Sequence, residues 1–357
     1  MKSYKDLEIY KLSYELAIRI HKMLKRRLLK VAAVFLLAFL IMLAVLHLAG
    51  CEESSNQIGG PFAISPDDEK IAMTIGPDWR HSRPYVLELN NGSSQLIPVQ
   101  RANLTQGMAW RPGASPPELL VLTSSSEEPQ RVVLIRVSDG VTSTVSSWDV
   151  PANLIMYDPV WNPSGKILAV TVGKISKGTV KGIYLGISYD NGKSFTITDI
   201  PGKSSVWTNN ETLYLHNGND ILEVEVSNKM AKVRKTLVSA EGVWLVGALK
   251  GEIVYIQGND IYQGGQLLYH LNQKIRMCRV DGSYLAFKVA RGGDVVVLDD
   301  KGNVINKKSV GNDTTKLVAL SSANKFVYLM KNEQSIERYS FVDDDEISTV
   351  FDVGILK

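Results

Sequence analysis

The pattern of apolar and polar positions changes rhythm twice along this chain. In residues 1–22 the apolar positions Leu7, Tyr10, Leu12, Tyr14, Leu16, Ala17 and Ile20 follow helical spacing and predict one amphipathic helix. A basic cluster, Lys25, Arg26, Arg27 and Lys30, then leads into an unbroken apolar run from Val31 to Leu46. Past residue 60 no segment keeps a long helical period. Short β-rich runs alternate there with clusters of Gly, Asn, Asp, Ser and Pro. Tyr85–Leu89, Leu119–Thr123, Val132–Val137, Ile167–Val172, Thr212–Leu215, Ile253–Ile256, Val295–Leu298 and Lys325–Leu329 are the clearest strands.

These strands repeat in groups. Ala63-Ile64-Ser65-Pro66, Ala109-Trp110-Arg111-Pro112 and Val160-Trp161-Asn162-Pro163 share one pattern, and each leads into a strand. A second pattern follows. Leu213-Tyr214-Leu215 leads to Gly218-Asn219-Asp220-Ile221, and Val254-Tyr255-Ile256 leads to Gly258-Asn259-Asp260-Ile261. A spacing of ~40–45 residues with four strands per unit is the period of a β-propeller, whose blades cannot bury both faces alone and therefore stack around an axis. The expected fold is all-β: a propeller of four-stranded blades, seven by the length available, after an N-terminal apolar signal or transmembrane helix. The expected division is 1–22 as a helical extension, 23–51 as signal or anchor, 52–60 as linker and 61–357 as propeller.

The Ser65-Pro66-Asp67 turn, followed by a Lys70-Ile71-Ala72 strand, resembles TolB-type and WD40-like propeller repeats. Those repeats usually carry Pro-Asp-Gly where this chain has Pro66-Asp67-Asp68 and Pro163-Ser164-Gly165, and the later blades lack the Pro motif. The resemblance implies a propeller with an interaction role. Ser188-Tyr189-Asp190-Asn191-Gly192-Lys193-Ser194-Phe195 is similar to the Asp-box of sialidase-like propellers, a structural hairpin turn marked here by Ser188, Asp190, Gly192 and Phe195. Asn191-Gly192 is itself a strong hairpin signal.

The segment from Lys25 to Cys51 has the order basic, apolar, small, which is that of a secretory signal. Leu48-Ala49-Gly50-Cys51 resembles the lipobox of bacterial lipoproteins, which implies lipidation of Cys51. The apolar stretch also approaches the ~20 residues that span a bilayer, so an uncleaved anchor is the competing reading. Either way the basic flank stays inside and the rest lies outside the cytoplasm. Residues 1–22 resemble the opening of the four-helix-bundle proteins related to the rRNA intervening-sequence protein. A single helix cannot rebuild such a bundle, and Met23 is a plausible alternative start.

Charge and candidate chemistry narrow the function classes. The chain carries 40 Lys and Arg against 37 Asp and Glu, and the basic excess belongs to the residues before Cys51. The β-rich part is slightly acidic, which is no footprint for nucleic acid. Its histidines, His81, His216 and His270, have no metal-ligand spacing, and no nucleophile-elbow, phosphate-loop or paired-Cys motif occurs. Neither a cofactor nor a metal is expected. Cys278 is read as a buried thiol, and Asp343-Asp344-Asp345-Glu346 as a solvated turn, since the run lacks the spaced ligands of a calcium loop. Trp79, Trp110, Trp161 and Trp207 fall near blade boundaries. They are read as inter-blade packing, or, if they face a rim or the axis, as anchors for a sugar or a partner.

Two functions remain. One is a membrane-tethered, non-enzymatic propeller of the cell envelope that binds protein or glycan partners, held to the membrane by lipid or anchor. The other is a propeller hydrolase acting on a glycan or lactone at its central mouth.

Overall fold

The computed structural model describes residues 11, 15–19, 21–23 and 25, and residues 57–355 apart from 78–80, 90–93, 97–103, 125–128, 139, 228, 291–292, 312–313 and 344–346. The chain divides into two units, Met1–Ser55 and Asn56–Lys357. In the first, Glu15–Arg19 and His21–Met23 are helical and exposed.

The second unit is all β and holds seven four-stranded antiparallel sheets, each a simple meander. Blade 1 is β1 (Gln57–Ile64), β2 (Lys70–Gly76), β3 (Arg83–Glu88) and β4 (Ser94–Leu96). Blade 2 is β5 (Leu104–Arg111), β6 (Glu118–Ser124), β7 (Arg131–Ser138) and β8 (Val141–Asp149). Blade 3 is β9 (Leu154–Trp161), β10 (Leu168–Ser176), β11 (Thr179–Ser188) and β12 (Thr196–Pro201). Blade 4 is β13 (Ser204–Trp207), β14 (Thr212–His216), β15 (Asp220–Ser227) and β16 (Met230–Ser239). Blade 5 is β17 (Val243–Leu249), β18 (Glu252–Gln257), β19 (Asp260–Gln263) and β20 (Gln266–His270). Blade 6 is β21 (Ile275–Asp281), β22 (Tyr284–Val289), β23 (Asp294–Asp299) and β24 (Val304–Ser309). Blade 7 is β25 (Thr314–Ser321), β26 (Phe326–Lys331), β27 (Ser335–Ser340) and β28 (Ser348–Asp352).

The first strand of each blade touches the first strand of the next, and β25 returns to β1, so β1, β5, β9, β13, β17, β21 and β25 form a closed inner ring. The core is divided among the seams between blades. Ala72 and Val86 of blade 1 pack with Trp110 and Val121 of blade 2. Leu120 and Leu134 of blade 2 meet Met156 and Val170 of blade 3. The same alternation runs around the ring to Ile71 and Met73, which pack on Tyr328 and Met330 of blade 7. This placement accounts for the sequence pattern. Middle strands such as β2 and β6 are covered on both faces and are buried at nearly every position. Outer strands such as β8 and β16 are exposed along most of their length.

Ring closure uses no exchanged strand, since blade 1 and blade 7 are each built from contiguous chain. Side chains close it instead. The Asp68 carboxylate accepts from Ser321 Oγ at 2.8 Å and from the Ala323 amide at 3.2 Å, and Asn324 Nδ2 donates to the Asp68 carbonyl at 3.1 Å.

The front of the expected architecture needs correction. No helix among the described residues is long and apolar enough to cross a membrane. The N-terminal signal or transmembrane helix attached to the fold expectation is therefore not part of the described structure. The membrane partner and the cell-envelope location inferred from it have no support among the described residues. The described helical residues are exposed and do not include the apolar run. Leu48, Ala49, Gly50 and Cys51, on which the lipobox resemblance rests, lie outside the described residues.

Candidate functional site: the axial mouth

The seven inner strands begin together at one end of the ring and finish together at the other. The finishing end is a belt of linked turns. Arg111 Nε donates to the Gly165 carbonyl at 2.8 Å, Asn210 Oδ1 accepts from the Ser164 amide at 2.9 Å, and Asp281 accepts from the Ser322 amide at 2.6 Å. The Pro-containing repeats sit here. Asn162 Oδ1 accepts the amides of Lys166 and Ile167, both at 3.0 Å, while its Nδ2 donates to the Asn210 carbonyl. The repeated motif thus builds turns that lock neighbouring blades.

The other end is where the inner strands begin. Inner strands in six of the blades are irregular in register: β1 between Gly59 and Ala63, β5 between Thr105 and Gly107, β9 at Asp158, β17 between Leu245 and Gly247, β21 between Ile275 and Met277, and β25 at two points. A bulge breaks the alternation of a strand and re-aims a side chain. On an innermost strand both faces are covered by neighbouring blades, so an exposed residue opens onto the axis or onto an end of the ring. Asp158, at φ 45°, is exposed in the middle of β9. Arg276 is exposed near the start of β21, and Trp244, 37% exposed, near the start of β17. Blades 3 and 6 lie on roughly opposite sides of a seven-blade ring, so an acid and a base are exposed on opposite sides of it.

The surroundings tune these groups. Burial raises the Asp158 carboxyl above the ordinary carboxylate range, as expected for an acid that water reaches but protein walls in. Arg279, farther along the strand that carries Arg276, is pulled down by burial from its ordinary value. It donates from Nε to the Val318 carbonyl at 3.2 Å and from Nη1 to the Cys278 carbonyl at 3.0 Å, tying β21 to β25. The ring is tight elsewhere. A Cβ on Gly107 would stand 2.4 Å from Pro159 Cδ, so only glycine lets β5 and β9 approach at Asp158.

Gln130 clamps the start of the third inner strand. Its Nε2 donates to the Met156 carbonyl at 2.7 Å and its Oε1 accepts the Met156 amide at 2.6 Å. A bay of about 420 Å³ opens between β25, β1 and β5, with Lys316, Glu333 and Thr105 on its walls.

The residues singled out from sequence are scattered around this ring. Trp110 is 5% exposed, and its Nε1 donates to the Ala63 carbonyl of blade 1 at 3.0 Å. Trp207 is 6% exposed, and its Nε1 donates to Val160 of blade 3 at 3.2 Å. Trp161 is buried between blades 2 and 3, under the Arg111 guanidinium. Trp79 lies outside the described residues. Ser188, Asp190 and Gly192 form a hairpin turn remote from the mouth. Ser188 Oγ donates to Asp190 at 2.8 Å, the Gly192 amide donates back to Ser188 Oγ at 2.7 Å, and Ser194 Oγ donates to Asp190 at 2.6 Å. Phe195 packs against the seam between blades 2 and 3. Burial would raise the Asp190 carboxyl, but these hydrogen bonds outweigh it and hold the group below its ordinary value. Among the described residues no cluster of His, Cys, Asp and Glu could hold a metal ion. Sequence reasoning missed Asp158, Thr105 and Lys316, because a bulge leaves no mark in an apolar alternation.

No protein-family model matches the chain, and no curated protein matches it. Solved structures do match. An acylaminoacyl peptidase in complex with Z-Gly-Gly-Phe-chloromethyl ketone aligns with a TM-score of 0.61 at 10% identity, over 85% of this chain and 53% of that one. Pyrococcus horikoshii acylaminoacyl peptidase gives 0.59 at 8% identity, over 84% and 53%. A puromycin-hydrolyzing peptidase of Mycobacterium tuberculosis gives 0.59 at 11%, over 84% and 54%. The chain therefore spans about half the length of these structures. The resemblance to TolB-type and WD40-like repeats, and with it the bacterial-lipoprotein reading, is corrected by this result. The turns that suggested those repeats serve only to join blades. At these identities the likeness establishes the seven-bladed propeller fold and nothing finer.

Proposed function

We propose that this chain is the substrate-receiving propeller of a peptide-hydrolysing system. Its axial mouth takes a polypeptide in extended form and presents it to the groups that break the bond. The expectation of a membrane-tethered, non-enzymatic envelope module is set aside, because the anchor it required is not found among the described residues and the matching structures are peptidases. The reading continues the hydrolytic alternative, with peptide in place of glycan or lactone.

The observation that carries it is the set of bulges on the inner ring. Asp158 and Arg276 sit at two of them and are exposed, as is Trp244 two residues before the β17 bulge, while the rest of each of these inner strands is buried or half-buried. An extended peptide offers amide groups, charged ends and side chains to such a lining. Asp158 and Arg276 on opposite sides favour one polarity of the entering chain.

The test is fluorescence anisotropy with a labelled, unstructured ten-residue peptide and the full chain. Saturable binding is expected, weakened by Asp158→Ala and by Arg276→Ala. Absence of peptide binding, or equal binding of a neutral oligosaccharide, refutes the reading.

A further inference from the structure

The bay between blades 7, 1 and 2 is built in a way the axial reading does not require. Three consecutive inner strands are irregular where they border it. β1 shifts register after Gly59, β5 shifts after Thr105, and β25 shifts just before Lys316. The floor is Gly59 and Gly60, and the absence of side chains there opens the space between the flanking strands. A Cβ on Gly59 would sit 2.9 Å from Thr74 Oγ1, and one on Gly60 would sit 3.4 Å from the Phe62 ring.

The polar groups around this space are unevenly satisfied. Thr105 is 6% exposed, lines the bay, and its Oγ1 has no hydrogen-bond partner among the described residues. A buried hydroxyl without a partner costs free energy comparable to a lost hydrogen bond, so its persistence at a cavity wall points to an occupant. Lys316, half-buried on the facing strand, makes no ion pair among the described residues. Together they place a hydroxyl donor and an ammonium on opposite walls, which is the donor set for an anion.

Glu333 restricts which anion. It sits at φ 59° with its backbone carbonyl accepting the Ile58 amide at 2.7 Å, so its place beside the bay is held by the ring seam. Its carboxylate opposes a second negative charge and accepts N–H donors. A singly charged carboxylate followed by an amide N–H satisfies Lys316, Thr105 and Glu333 together. A phosphate dianion brings a second negative charge against Glu333, with a single hydroxyl to offset it.

We propose that this bay binds the C-terminal carboxylate of a peptide, with Lys316 and Thr105 holding the carboxylate and Glu333 and Gln57 accepting or bridging its last amide. The inference deepens the peptide-receiving reading, for it makes the bay the place where one end of the substrate docks beside the axis.

The experiment is calorimetric titration of the full chain with acetylated triglycine, its C-terminal carboxamide and inorganic phosphate, repeated on Thr105→Val and Lys316→Gln. The free acid is expected to bind at least about tenfold more tightly than the amide, the worth of one hydrogen bond to a charged group. Both variants are expected to erase that preference. Thr105→Val removes an unsatisfied hydroxyl at nearly constant shape, so its thermal midpoint should equal or exceed the parent's, which separates lost binding from lost folding. Equal binding of acid and amide overturns the proposal, as does a preference that survives both variants, phosphate binding as strong as the acid, or no binding of the acid. These probes are too short to need the axis. A ten-residue peptide tested as its C-terminal carboxamide cannot use the bay, so its failure alone refutes the channel reading and leaves this one standing.

Discussion

The closure of the ring at Asp68 gives a quantitative test of the fold. Asp68 is 6% exposed, and its carboxylate holds two donors from blade 7, a segment 253 residues away in sequence. Asp68→Ala deletes two hydrogen bonds to a charged acceptor, worth about 1.5–3 kcal/mol each before the recovered desolvation is subtracted. It also places alanine at φ 58°, where an L residue with an apolar side chain loses ~1–2 kcal/mol. The expected net loss is about 3–5 kcal/mol. Asp68→Gly loses the same bonds without the backbone strain and should be less damaging by about 1–2 kcal/mol. Asp68→Asn keeps an acceptor in place and should stay within about 1 kcal/mol of the parent at neutral pH.

Burial, then the negative charge of Asp281, raises the Asp68 carboxyl above its ordinary value. The native state therefore keeps this proton where the unfolded chain has lost it. Stability from the group is fully present below the unfolded pKa and declines as pH rises from there through the raised folded value. Asp68→Asn removes that dependence. Urea unfolding of the full chain, followed by near-ultraviolet circular dichroism across this pH range, measures both effects. An Asp68→Ala loss below about 0.5 kcal/mol, or an Asn variant as damaged as the Ala variant, refutes the account of the seam.

Three further outcomes are expected. Gln130→Leu breaks the two bonds to Met156 and leaves a buried amide and carbonyl unpaired, so it should cost about 2–4 kcal/mol by urea midpoint; a neutral effect would show that the clamp is not needed. Gly107→Ala should lower the thermal midpoint, because the new Cβ meets Pro159 and lies 3.2 Å from the Asp158 backbone nitrogen; an unchanged midpoint would mean that β5 and β9 can part freely. Burial pushes the Cys278 thiol up to about 12, and the residue is 2% exposed, so Cys278 of native protein at pH 8 should resist iodoacetamide while in urea-unfolded protein it reacts, read by mass spectrometry of the peptide that carries it; rapid native alkylation of Cys278 contradicts the buried placement.

The legible part of this molecule was local. Middle strands such as Leu119–Leu122 are apolar throughout because blades cover them on both faces, and that unbroken run stands out along the chain itself. The Asp-box hairpin was legible for the same reason, since Ser188, Asp190 and Gly192 bond to one another within a few residues. The Pro-containing turns were legible as repeats but misleading as a family sign, because any propeller needs turns that lock one blade to the next. Trp110 and Trp207 were read two ways from sequence, and only their donation to carbonyls 47 residues upstream places them in the seams. The apolar run before Cys51 suggested a membrane, and it falls outside the described residues.

The sequence by itself determined the strands and their spacing of about 40 residues, which left six, seven or eight blades open; the closed ring decided on seven. Side-chain alternation and turn chemistry act over a handful of residues, so they can be read along the chain. Only the tertiary structure decided which residues meet. Asp68 reaches Ser321, Asp158 is exposed at a bulge, and Thr105 and Lys316 share one bay, because ring closure joins segments from opposite ends of the propeller and bulges turn side chains off their alternation. Those are properties of how strands sit in space, and no local pattern encodes them.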